Sequence, residues 1–102
     1  MIVYNVTMNI DDSIHDEWVE WMSTKHIKDV MDTGCFKESC MYRIVSPEPD
    51  EGEGQTYCIQ YYAKSLDDYE RYQLEHAAFL QSEHQEKFEG KFTAFRTVME
   101  TV

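Results

Sequence analysis

The sequence predicts an α+β fold with the element order β-α-β-β-α-β, a four-stranded antiparallel sheet and both helices on one of its faces. Three observations predict it. Residues 2–10 alternate with period two, two later segments carry apolar residues at helical spacing, and a Pro- and Gly-rich break separates two strand-like runs. At 102 residues the chain suffices for one core and not for two, so residues 1–102 read as a single domain.

In "IVYNVTMNI", Ile2, Tyr4, Val6, Met8 and Ile10 fall on one face, and Asn5, Thr7 and Asn9 on the other. "DDS" then offers N-cap residues and first-turn acids that suit the positive end of a helix. Ile14, Trp18, Trp21, Met22 and Val30 recur at helical spacing, which predicts an amphipathic helix over residues 13–32, stopped at Thr33–Gly34. "CFKESCMYRIVS" (35–46) reads as the second strand, "PEPDEGEG" as a loop and "QTYCIQYYAK" as the third strand, which together make an antiparallel hairpin. Ser65 to Asp68 resembles a capping box. Leu66, Tyr69, Tyr72, His76, Phe79 and Leu80 form the stripe of a second helix reaching Phe88, with a kink near "EHAA". After Gly90, "KFTAFRTVMET" supplies the last strand. Right-handed crossovers turn this order into the ferredoxin-like arrangement.

Twenty acidic against nine basic residues give a net charge of −11. Such a surface repels phosphate backbones and anionic lipid heads, so neither nucleic acid nor membrane is an expected partner. No apolar run is long enough to span a bilayer, and "MIVYNVTMNI" lacks a basic n-region, so a cytoplasmic location is expected. The cysteines, Cys35, Cys40 and Cys58, are odd in number and form no C-x-x-C pair, which suits a reducing compartment. Cys35 and Cys40, on one strand and an odd number of positions apart, would face opposite ways.

With the helices on one face, the other stays open. Strand three offers Cys58, Gln60 and Tyr62 on one side and Tyr57, Ile59 and Tyr61 on the other. Strand four offers Phe95 and Met99 against Ala94, Arg96 and Val98. Neither side is polar enough to rest in water, which predicts a homodimer with two sheets packed face to face about a two-fold axis.

The run "YNVT.NI…IH.EW..WM…HI.DV..TG.F", followed by "YCIQY..KS..DYERY" and "FRTVME", resembles an uncharacterised bacterial domain of unknown function. That domain in turn resembles the dimeric α/β-barrel superfamily, which includes cofactor-independent monooxygenases, haem-degrading enzymes and muconolactone-isomerase-like proteins. The resemblance implies a small cytosolic dimer with a cavity between sheet and helices. The haem-degrading branch uses an asparagine on strand one, a tryptophan on strand three and a late histidine of helix two. Asn5 and His84 match two of these, but strand three has no tryptophan and the charge disfavours haem propionates. No haem and no other cofactor is expected.

Two histidines are candidate acid–base groups. His26 follows Trp18 and Met22 by eight and four residues, which puts it on the margin of the buried stripe at a cavity mouth. His76 falls in the stripe of the second helix and should be partly buried. His84 lies about 12 Å further along that helix at 1.5 Å per residue, too far to share an ion with His76, so no metal site is expected. His15, in the first turn, reads as solvated. Asn5, Trp18, Met22, Gln60, Tyr62 and Arg96 are the expected pocket residues for a small apolar or aromatic ligand. The four carboxylates of residues 48–53 lack the spacing of a calcium loop. Two functions from different classes follow. One is a ligand-binding or interaction module, which needs no catalytic constellation. The other is a cofactor-independent enzyme of the small α/β-barrel type, monooxygenase- or isomerase-like, acting on an apolar or aromatic metabolite.

Overall fold

The computed structural model describes residues 1–102. Strands β1 (Ile2–Ile10), β2 (Glu38–Arg43), β3 (Gln55–Ala63) and β4 (Phe92–Glu100) pair antiparallel throughout in the order β2-β3-β1-β4. Helix α1 (residues 15–32) and helix α2 (residues 66–87) cover one face, as the ferredoxin-like order requires. Period two in β1 decides which face. Ile2, Tyr4, Val6, Met8 and Ile10 are all buried beneath the helices. Register then carries the choice to the neighbours: Tyr4 lies opposite Tyr61 and Val98, and Val6 opposite Ile59 and Arg96.

The helix ends follow local chemistry. Asp11 Oδ1 accepts from the Ser13 N–H at 2.8 Å, ahead of a short 3₁₀ turn, Asp12–Ile14. Gly34, with φ of +76°, closes α1 and donates its N–H to the Met31 carbonyl at 3.1 Å. Ser65 caps α2 by accepting from the Asp68 N–H at 3.3 Å. Gly54 is required for a different reason. Its φ is +77°, and a Cβ there would collide with the Ile10 carbonyl where the hairpin loop crosses the end of β1.

Three departures from the expected elements matter for function. Strand β2 begins at Glu38, later than expected. Cys35 and Phe36 instead turn into the layer between helices and sheet, where the Phe36 ring lies 5.0 Å from that of Tyr72 and 5.3 Å from that of Tyr61. Cys35 and Cys40 therefore do not share a strand; Cys35 is buried and Cys40 exposed.

The other two departures are π-helical turns, Met22–His26 in α1 and Gln73–Ala77 in α2. Each inserts one residue and advances the buried stripe by one position. In α1 the stripe becomes Trp18, Met22, His26 and Val30, which moves His26 from the margin onto the buried face itself. In α2 it becomes Tyr72, Ala77, Leu80, His84 and Phe88. His76 is consequently only half-buried, and Leu66 and Phe79, expected inside, are 50% and 69% exposed. The expected kink near "EHAA" corresponds to this second π-turn.

Candidate functional site

The π-turns bring two histidines together under an aromatic roof. His26, from α1, and His84, from α2, have ring centroids 5.9 Å apart and edge-to-face. Trp21 stacks on His26 at 5.1 Å, and Phe92 of β4 meets His84 edge-on at 4.3 Å. Trp18, wholly buried, donates its indole N–H to His84 Nε2 at 2.8 Å. That bond fixes His84 as an acceptor at Nε2 and hence as the neutral tautomer protonated at Nδ1.

Both imidazoles are held neutral. Burial pushes the pKa of His26 down to about 4; nearby Asp29 and Glu83 oppose the shift, while Lys25 and Arg96 reinforce it. Burial also lowers His84 to about 4, helped by His26 and Arg96. The two differ in what surrounds their nitrogens. His84 is bonded, whereas His26 Nδ1 is buried and has no hydrogen-bond partner. An orphaned polar atom of that kind costs about 1–3 kcal/mol, so it marks a place where packing alone does not explain the residue.

His26 lines a chamber of about 20 Å³ between sheet and helices, together with Tyr4, Met22, Tyr61, Tyr72, Gln81 and Arg96. That volume holds roughly one water molecule. The expected cavity is thus present and almost filled by the chain's own side chains. A larger open groove of about 580 Å³ runs alongside, between α2 and β4, with Gln81, His84, Phe92 and Arg96 on its walls.

The six expected pocket residues divide between the two faces of the sheet. Trp18, Met22 and Arg96 lie on the helix side. Asn5, Gln60 and Tyr62 lie on the open side, because Asn5 alternates with Tyr4 and pairs across with Gln60. There they form a separate polar row: Asn5 Nδ2 donates to Thr7 Oγ1 at 2.9 Å, and the Tyr62 hydroxyl to Gln60 Oε1 at 2.8 Å. Asn5 Oδ1 is buried without a partner. Asn5 and His84, the pair matched to the haem-degrading branch, sit on opposite sides of the sheet, and Trp18 occupies His84 Nε2, so that pattern is not assembled. His76 stands apart from the chamber, in a groove between the helices with Asp29, Glu75 and Glu83. His15 is not freely solvated either: its Nε2 lies 2.6 Å from the Tyr57 hydroxyl, because the first turn of α1 sits over β3.

All 102 residues match DUF4286, described as a domain of unknown function. The chain belongs to the DUF4286 family. No curated protein sequence matches it. Among solved structures, this DUF4286 chain is similar to a dimeric ferredoxin-like protein from an uncultured marine organism, with a TM-score of 0.70, 12% identity and coverage of 100% of this chain and 95% of the other. It is also similar to an ethyl tert-butyl ether D (EthD) family protein from Bacillus halodurans C-125, with a TM-score of 0.68, 16% identity and full coverage of both chains. A third is a dimeric ferredoxin-like protein of unknown function from Jannaschia sp. CCS1, with a TM-score of 0.61, 10% identity and coverage of 99% and 100%. Likeness at identities this low shows the fold that this DUF4286 chain shares with these proteins, which is ferredoxin-like.

Trp21 was expected only as a core residue of the first helix and His84 only as a match to the haem-degrading branch, and Gln81 was not expected at the site at all. The spacing Trp18–Met22–His26 carried a signal for His26. Nothing in the sequence placed Gln81, which reaches the chamber only because the second π-turn rotates the following helix.

Proposed function

We propose that this DUF4286 protein is a cytoplasmic homodimeric module that binds a small apolar or aromatic ligand between its sheet and helices. The observation that carries the dimer is the open face of the sheet. Phe95, Tyr42 and Met99 are 63%, 49% and 40% exposed there, beside Tyr62 and the orphaned Asn5 Oδ1. Apolar side chains grouped on one uncovered face favour a partner surface. A second copy presents the same apolar face, and a two-fold axis lets the two faces pack on each other. The dimeric relatives support the same reading. Three free cysteines suit a reducing cytoplasm, and no helix is long and apolar enough to cross a membrane.

Sedimentation at micromolar concentration tests the assembly. The expected result is a species of twice the 12.1 kDa chain mass, converted by Phe95→Lys into a folded monomer. A wild-type monomer at that concentration overturns the dimer.

The alternative, a cofactor-independent enzyme acting on such a ligand, is favoured by one observation, His26. It is held neutral above its lowered pKa, it lines the chamber, and its buried Nδ1 has no partner. A base with a pKa near 4 is weak, however, and no second group is bonded to it to orient a proton transfer. The binding reading therefore stands first.

A further inference from the structure

The chamber under His26 and the open groove beside it share two walls, Gln81 and Arg96. Both are long, flexible side chains, and both line the chamber of about 20 Å³ as well as the open groove of about 580 Å³. Met22, on the chamber's far side, is an unbranched thioether that repacks at low cost. Rotation of Gln81 and Arg96 is the movement that would join the two spaces.

The chemistry of the walls is asymmetric. Arg96 forms none of the chain's ion pairs, although carboxylates outnumber cations 20 to 9. Its guanidinium is a free cation at the mouth of a space whose remaining walls are aromatic, aliphatic or neutral. A planar guanidinium matches a carboxylate through two parallel hydrogen bonds. One cation flanked by neutral imidazoles balances a monoanion and is too little for a phosphate dianion. The chamber's remaining lining includes the aromatic side chains Tyr4, Tyr61 and Tyr72 and also His26, whose buried Nδ1 has no hydrogen-bond partner.

We propose that groove and chamber form a single site for a small aromatic carboxylic acid, its carboxylate paired with Arg96 and a polar ring substituent bonded to His26 Nδ1. This rests on the ligand-binding reading above and adds the ligand's charge, its anchor and its orientation.

4-Hydroxybenzoate and its uncharged counterpart 4-hydroxybenzamide serve as probes, titrated at pH 7 while the indole N–H signals of Trp18 and Trp21 are followed by NMR. The acid is expected to shift both signals and to bind at least tenfold more tightly than the amide. In Arg96→Gln the two probes should bind alike, with the acid at least tenfold weaker than on wild type. Equal affinity of acid and amide on wild type overturns the carboxylate assignment and leaves the pocket standing. So does acid binding that survives Arg96→Gln unchanged, whereas acid binding that spares both indoles lies elsewhere and overturns the site itself. If neither probe binds wild type or Met22→Ala, whose chamber is wider, the pocket reading falls together with the inference.

Discussion

Acidifying the protein from pH 7 to pH 4 is expected to weaken folding by roughly 4 kcal/mol, through His26 and His84 together. Each is neutral in the folded state down to a pKa of about 4, against an ordinary value of 6.5. Above pH 6.5 neither state binds the proton and nothing is lost. Below it the unfolded chain takes up protons that the buried rings refuse, so stability falls by about 1.4 kcal/mol per pH unit for each histidine. The loss ends near pH 4, where the folded rings also protonate. Screening at the groove reduces the full figure to about 2 kcal/mol each. Against a typical stability of about 5–15 kcal/mol, that is a large fraction.

A competing effect has the opposite sign. The net charge of −11 shrinks on acidification towards the isoelectric point near 4.6, which relieves self-repulsion of the folded state. The histidine contribution is therefore read as a difference. Urea unfolding of wild type and His26→Leu at pH 7, 6, 5 and 4 should show the two curves diverging below pH 6.5. By pH 4 wild type should have lost about 2 kcal/mol more than the variant. Parallel curves would mean that His26 titrates like a free histidine and is not buried in solution.

The strands were legible because the period-two signal is local. The split of "IVYNVTMNI" into Tyr4 and Asn5 faces is the one the folded sheet uses, and so is the split of Phe95 from Arg96. The helix caps were legible for the same reason, since Ser65 and Gly34 act within a few residues of their own position. The site was less so. Period two already separated Asn5 from the helix side, yet Asn5, Gln60 and Tyr62 were grouped with Trp18, Met22 and Arg96, because deciding which face of β3 joins which face of β1 requires register. The π-turns were harder still. A stripe drawn at 3.6 residues per turn puts His76 and Phe79 inside and leaves His26 at the edge. One inserted residue in each helix reverses those placements, and the gain that stabilises it lies in contacts with the other helix and the sheet, which no window of sequence contains.

Trp18→Ala should cost about 4–8 kcal/mol, enough to unfold a protein at the lower end of ordinary stability. Trp18 is fully buried and its ring lies 5.0 Å from that of Tyr57, so truncation opens a cavity costing about 3–5 kcal/mol. It also strips His84 Nε2 of its donor, which adds about 1–3 kcal/mol if no water replaces the indole. Trp18→Phe separates these contributions, because it keeps most of the ring volume and deletes only the N–H and part of the bicycle. Its expected cost is about 2 kcal/mol at pH 7. The bond also favours the neutral form of His84, since a protonated Nε2 cannot accept. In Trp18→Phe the His84 ring should therefore protonate at higher pH than in wild type, visible in its ring-proton NMR signals, and the acid-induced loss of stability should shrink. The two readouts must move together if one hydrogen bond governs both. A Trp18→Phe variant as stable as wild type, with an unmoved His84 midpoint, would show that Trp18 acts by volume alone and that burial by itself keeps His84 neutral.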